Sequence, residues 1–186
     1  MSEWDKKLKV MQLYDSTAHL YDMRYAEEQK AKFEAAIKSL GKNRYGLVLD
    51  AGCGTGLLFH HVASKSETII GLEISRKILL KAKERVKDFQ KAHLVLADAD
   101  YMPFKEKSFD TVFAFTLIQN MPDPSKTLKE TKRVAKDNAV FIITGLKKAF
   151  SLENLEKLIG NSGLKIISIK NNDLKCYVSI CTKLFP

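Results

Sequence analysis

The chain has 186 residues, with 31 lysines and arginines against 22 aspartates and glutamates, a formal net charge of +9. That length allows one domain with a sizeable core and little more, and no apolar run approaches the ~18 residues of a membrane span. The opening Met1-Ser2-Glu3-Trp4-Asp5-Lys6-Lys7 lacks the apolar stretch of a secretory signal, so a cytoplasmic location is expected. Its 3 cysteines form no C-x-x-C and join no histidine pairing that suggests a metal, so neither a metal site nor a structural disulfide is predicted.

The chain begins with helical patterns over 5–23 and 26–40. Within them stands Tyr14-Asp15-Ser16-Thr17-Ala18-His19-Leu20-Tyr21-Asp22-Met23-Arg24-Tyr25. Tyr14 and Tyr21 are seven apart and on a continuous helix share one face. Next, Val48-Leu49-Asp50-Ala51-Gly52-Cys53-Gly54-Thr55-Gly56 runs an apolar strand (46–51) into an acid and three alternating glycines. Glycine admits φ > 0 and removes the Cβ that would hold a ligand off the backbone. A helix predicted over 55–65 would aim free N–H groups and a positive dipole end at the same spot. Strand, loop and helix together predict a cradle for a charged, nucleotide-like ligand. A dinucleotide fingerprint needs G-x-G-x-x-G, and here Leu57 stands where its third glycine belongs.

Two more strands end in acids. The run 67–73 closes on Glu73, placed to accept hydrogen bonds from both hydroxyls of a ribose; the alternative is an N-cap-like or solvent-facing carboxylate. The run 93–98 closes on Asp98, with Asp100 two residues on as an alternative. A basic helix is predicted between them over 75–90, then a strand over 109–115. Pro122 and Pro124 precede a helix over 124–136, where proline suits the start. A strand over 139–144, a helix over 151–161 and strands over 164–170 and 175–183 complete the chain. The short link from Asn171 to Lys175 predicts an antiparallel hairpin, while the earlier alternation predicts a mainly parallel sheet with helices on both faces. Cys176 and Cys181, an odd number of positions apart on one strand, are expected on opposite faces.

The D-x-G-x-G-x-G spacing from Asp50 to Gly56, the acids Glu73 and Asp98, and Phe109-Asp110-Thr111-Val112 together resemble class I S-adenosylmethionine-dependent methyltransferases, of the compact type 11-like kind. The resemblance covers nearly the whole chain. It implies a Rossmann-like, doubly wound α/β sheet of seven strands, mostly parallel, with the last strand antiparallel beside the fifth. It implies one domain over 1–186, with 1–45 as a helical lid on the sheet of 46–186. The cofactor would be S-adenosyl-L-methionine, held by Asp50, Gly52, Gly54, Gly56, Glu73, Asp98, Arg24 and Thr116. In the resemblance Glu73 takes the ribose and Asp98 the adenine amino group. The segment from Tyr14 to Tyr25 resembles the Y-D-x-x-A-x-x-Y-D prelude that folds over the cofactor. Tyr21 and Arg24 would then close the methionine end, the guanidinium fork suiting a carboxylate or phosphate. Otherwise the tyrosines only pack this helix onto the sheet.

Thr116-Leu117-Ile118-Gln119-Asn120-Met121-Pro122-Asp123-Pro124 would face the point where the methyl group emerges. Many such relatives acting on small molecules carry a histidine where Asn120 stands, and the segment departs from the N-P-P-[YF] motif of amino-group methyltransferases. Asn120 and Tyr21 are the catalytic candidates; Asn120 and Gln119 either hydrogen-bond an acceptor or cap the loop. Methyl transfer needs mainly an aligned, partly desolvated nucleophile, so a missing base does not argue against activity.

Charge is uneven. Residues 76–91 and 126–137 are strongly basic, whereas 92–125 is acidic. A basic shell suits a polyanion such as RNA, although lysine-rich helix faces are also often simply solvated. The expected acceptor is therefore a tRNA or rRNA base. The resemblance adds a small zinc-containing activator protein docked beside the third strand, at Ala92-His93-Leu94-Val95-Leu96. A small metabolite, a protein side chain, or a cofactor-binding protein without turnover are the alternatives.

Overall fold

The computed structural model describes residues 2–171 and 173–184. Its strands are β1 (Gly46–Ala51), β2 (Ser66–Glu73), β3 (Ala92–Leu96), β4 (Phe109–Ala114), β5 (Ala135–Leu146), β6 (Leu164–Lys170) and β7 (Cys176–Lys183). They form one 7-stranded sheet in the order β3-β2-β1-β4-β5-β7-β6. β1 through β5 pair in parallel, and β7 inserts between β5 and β6, antiparallel to both. The expected doubly wound sheet and its terminal hairpin are present; position 172 of the hairpin link lies outside the described residues. The strand order turns at β1 and β4, and open α/β sheets bind ligands at the carboxyl ends of such a pair.

Alternation along the strands splits the core in two. Leu49, Val112, Ala114, Phe141 and Ile143 meet Leu128 and Val134 of α5 (Pro124–Val134) and Leu155 and Ile159 of α6 (Leu152–Asn161). Val48, Phe113 and Ile142 point the other way, onto Phe33 and Ala36 of α2 (Tyr21–Leu40) and Phe59 and Val62 of α3 (Phe59–Val62). Burying a side chain of this size contributes about 1.5–3 kcal/mol, which is why these central strands read as near-continuous apolar runs. Cys176 and Cys181 fall in the two separate layers, and all three cysteines are buried and free.

Several predicted boundaries move. The helix expected over 55–65 is a series of turns, one helical turn at α3, and a 3-10 turn at Ala63–Lys65. Gly54 and Gly56 have φ of 56° and 77°, outside helical space, so no helix can start until both are passed. A four-residue helix carries little dipole, so the cradle lacks the helix-end contribution predicted from the sequence. At the N-terminus, α1 (Glu3–Thr17) and α2 are separated by a 3-10 turn at Ala18–Leu20, earlier than expected. There Ser16 and Thr17 hydroxyls donate to the carbonyl of Leu13 at 2.8 and 2.9 Å, the back-bonding that bends helices. The strand β5 begins at Ala135, directly after α5, with a register irregularity where it joins β4. The basic helix is α4 (Arg76–Val86), capped by Ser75. Among the described residues, no helix is long and apolar enough to cross a membrane.

Candidate cofactor and acceptor site

The glycine loop leaves the end of β1 and is organised by the acid at the end of β2. Glu73 accepts hydrogen bonds from the backbone N–H groups of Gly54 (3.1 Å), Ile74 (2.9 Å) and Ser75 (2.8 Å). It is therefore cap-like, as in the bland alternative, and at the same time faces the cleft. Burial pushes its pKa up, and the three N–H groups oppose that rise. A Cβ on Gly56 would meet the Phe59 ring at 2.8 Å, so this glycine is required for packing. Gly54 faces Tyr21 across space that a side chain would fill, its built Cβ lying 3.8 Å from the tyrosine hydroxyl.

Behind the loop lies Asp50. Its Oδ2 is buried without a hydrogen-bond partner. Burial, reinforced by the charge of Glu73, pushes its pKa to about 8. Such a group at the floor of a cleft is either a cost with no return or a ligand contact.

Beyond β3, Asp98 and Asp100 share one cation. The ammonium of Lys7, on α1, donates to both oxygens of Asp98 (2.8 and 2.6 Å) and to Asp100. Burial alone would depress the pKa of Lys7, but the two carboxylates outweigh it and hold it above the ordinary value. Asp98 lines the cleft; Asp100 is turned inward onto Thr127. The pair thus divides into a cleft acid and a structural one.

The N-terminal helices are clamped by the two aspartates of their repeated Tyr-Asp motif. Asp15 accepts from the Ser75 hydroxyl (2.5 Å) and the Lys77 N–H (3.1 Å). Asp22 accepts from the Thr55 hydroxyl (2.6 Å) and pairs with Arg85 (2.9 Å), whose guanidinium also donates to the Thr55 carbonyl. Arg85, within the basic segment 76–91, is therefore a latch between α4, the glycine loop and α2.

Two adjoining cavities result. The first, about 700 Å³ of empty space with its mouth included, is lined by Gly52, Gly54, Glu73, Asp98 and Thr116 together with Lys7 and Ile78. The second, about 1290 Å³ measured the same way, opens on the other side of Tyr14, Tyr21, Thr116 and Asn120, which border both. Tyr14 and Tyr21 have ring centroids 5.9 Å apart, so the shared face survives the helix break. Asn120 donates through Nδ2 to the Tyr14 hydroxyl (2.9 Å) and the Thr116 carbonyl (2.8 Å), leaving only its carbonyl oxygen uncommitted. Thr116 has φ of 55°, a strained conformation for a β-branched residue. Its N–H donates to the Thr144 hydroxyl (2.8 Å), and its own hydroxyl accepts from Gln29 (3.3 Å) and Lys32 (3.2 Å).

Of the residues singled out in the sequence, Gly52, Gly54, Glu73, Asp98, Thr116, Tyr21 and Asn120 come together at the first cavity, with Asp50 just behind. Gly56 serves the turn, and Arg24 is exposed and lines neither cavity. Gln119, foreseen as an acceptor contact or a loop cap, lines the second cavity, whereas Lys7, Lys32 and Gln29 were not foreseen as site residues. The seven-residue spacing of Asp15 and Asp22 could have disclosed the lid clamps; nothing local marks Lys7.

A doubly wound sheet with this glycine loop and two strand-end acids at its switch point defines a class I S-adenosylmethionine-dependent methyltransferase. The family model described as "Methyltransferase domain" matches residues 49–143, just over half of the chain, and the chain belongs to that family. The cradle fits the family's cofactor: it offers a glycine loop at positive φ, an unpartnered buried Asp50 oxygen and carboxylates along the cleft. Among relatives, an uncharacterized protein of Methanocaldococcus jannaschii, MJ1252, is 32% identical over 139 residues, 75% of this chain and 52% of that one. A malonyl-[acyl-carrier protein] O-methyltransferase of Marinomonas sp. is 30% identical over 161 residues, 81% and 59% of the two chains. The chain thus spans little more than half the length of these relatives. A solved methyltransferase of Haloferax volcanii, in complex with the Trm112 activator, superposes with a TM-score of 0.78 at 15% identity, over 93% of this chain and 96% of that one.

Proposed function

We propose that the chain transfers the methyl group of S-adenosylmethionine to a small organic acceptor seated in the second cavity. The observation that carries this reading is the shared wall: Tyr14, Tyr21, Thr116 and Asn120 border both cavities, so a ligand in each would meet there. The cofactor, when bound, supplies an electrophilic methyl on a sulfonium. The chain's own groups bind and orient. Glu73 takes the ribose hydroxyls, Asp98 the adenine amine, and Asp50 the cationic methionine end. The carbonyl oxygen of Asn120 orients the acceptor. Burial, reinforced by the charge of Glu73, holds the Tyr21 hydroxyl protonated throughout the physiological range, so it acts as donor and wall, not as base. The acceptor must then bring an atom that is nucleophilic without help, aligned and shielded from water. The acceptors for which relatives are named, malonyl-[acyl-carrier protein] and demethylmenaquinone, support a non-nucleic-acid substrate.

The RNA reading retains one specific observation. Leu80 and Leu96 are 52% and 53% exposed, beside an open groove along α4 and the sheet edge at β3. A strand or loop of an activator could dock there, and the Haloferax neighbour was solved with such a partner. Against it, many cations of the basic segments are engaged: Arg85 with Asp22, Lys87 with Glu84, Arg133 with Glu130 and Lys136 with Asp110. Incubating the protein and labelled S-adenosylmethionine with total RNA and, separately, with a metabolite extract decides between them. Label in the small-molecule fraction is expected; label only in RNA, and only with an activator present, would reverse the assignment.

A further inference from the structure

We infer that the acceptor is a small anion, a carboxylate or phosphate ester on an apolar or aromatic body, with its charged group at a lysine rim of the second cavity. This rests on reading that cavity as the acceptor pocket. Three separate elements bring lysines to it: Lys32 from α2, Lys147 and Lys148 from the turn after β5, and Lys175 from the approach to β7. Among the described residues Glu28 is the only acid in the lining, and it bridges Lys32 (2.7 Å) and Lys175 (3.0 Å). The ammonium groups of Lys32, Lys148 and Lys175 outnumber that carboxylate, so the mouth is net positive. The neighbouring cavity differs: Glu73 and Asp98 line it, Lys7 is the one cation among its described residues and is paired with Asp98, and the carboxyl of Asp50 lies behind. The balance of charge therefore shifts across the shared wall, from the unpaired carboxylate of Glu73 on the side of a cationic sulfonium ligand to an excess of ammonium groups on the side of its partner.

The interior of the second cavity adds the rest of the description. Leu13, Tyr25 and Leu146 give it apolar walls suited to a ring or chain. Gln119 lines it, and both polar atoms of its amide are buried with no hydrogen-bond partner. A buried amide left unsatisfied on both sides is costly unless a ligand supplies the bonds. Gln119 offers one donor group and one acceptor beside Asn120, as a hydroxyl or amide near the reacting atom would use. An extended polyanion would instead favour cations spread over an outer face, whereas these converge on a bounded space.

The test uses the protein loaded with S-adenosylhomocysteine and three matched probes: 1-naphthoic acid, 1-naphthyl phosphate and neutral 1-naphthamide. In titration calorimetry at low salt, at least one anion is expected to bind ten-fold or more tightly than the amide, with that advantage shrinking as salt rises. Whichever anion binds better distinguishes a carboxylate from a phosphate ester. Lys148→Glu combined with Lys175→Glu, both at exposed positions, is expected to remove the advantage while leaving affinity for S-adenosylhomocysteine unchanged. Gln119→Leu is expected to weaken all three probes, again without touching the cofactor product. Equal affinity for anion and amide, binding by none of the three, or an anion preference indifferent to the charge reversals overturns the inference alone. Failure of S-adenosylhomocysteine itself to bind overturns the underlying methyltransferase reading, and this one with it.

Discussion

Replacing Glu73 with alanine separates what this carboxylate does for the fold from what it does for the cofactor. The substitution strands the N–H groups of Gly54, Ile74 and Ser75, now bonded at 2.8–3.1 Å. At roughly 1 kcal/mol for each bond, the gross loss is about 3 kcal/mol. Part of it returns, because burial raises the pKa of Glu73 and its removal relieves a charge held at a cost. Asp50 is relieved too, since the charge of Glu73 helps to raise its pKa. A net loss of about 1–2 kcal/mol corresponds to a fall of roughly 2–8 °C in Tm for a chain of this size. The cofactor loses more. Two charge-assisted bonds to the ribose are worth about 2–4 kcal/mol, or roughly 30- to 700-fold in affinity. Calorimetry with S-adenosylhomocysteine and thermal unfolding on the same preparation measure both. Affinity within threefold of the parent protein refutes the ribose role. Glu73→Gln keeps one carbonyl acceptor for the loop and is expected to recover most of the Tm but little of the affinity.

Asp50, with a pKa of about 8, is mostly protonated at neutral pH, so a cationic ligand beside it should displace a proton. The enthalpy of S-adenosylmethionine binding at pH 7 is then expected to vary with the ionisation enthalpy of the buffer, and Asp50→Asn to abolish that variation. Because the folded pKa lies above the unfolded one, the ligand-free protein loses stability as pH climbs from about 4 through 8; Asp50→Asn should flatten this part of the Tm profile. Asp22→Asn weakens a partly exposed pair with Arg85, worth about 1 kcal/mol or less. Faster amide exchange at 18–25 with a nearly constant Tm is expected, and unchanged exchange would show that the latch does not hold the lid. Gly54→Val forces a β-branched residue to φ near 56° and fills the space before Tyr21. It should reduce S-adenosylhomocysteine affinity by more than ten-fold, and an unimpaired variant would mean that the loop does not approach the ligand.

What could be read from the order of residues is what depends on near neighbours. Apolar alternation located the strands, because a buried sheet residue answers to positions two away. The alternating glycines marked a backbone that must take positive φ, and Glu73 and Asp98 announced themselves by closing apolar runs. Boundaries were less legible where local bonding competes with propensity: Ser16 and Thr17 bend the lid helix by bonding back to Leu13, and Gly56 forbids the helix expected over 55–65. Charge was the least legible. Arg85 looked like one more cation on a solvated face, yet it is spent on Asp22, 63 residues away, and Lys7 reaches Asp98 across 91 residues. Lys32, Lys148 and Lys175 are scattered in the chain and share a cavity only because β7 inserts beside β5 and α2 packs against β7. Electrostatic interaction follows distance in space, not separation along the chain. The sequence by itself therefore determined the family and its cofactor loop, and tertiary packing decided which acid faces the cleft, which cation locks the lid and where the basic cavity lies.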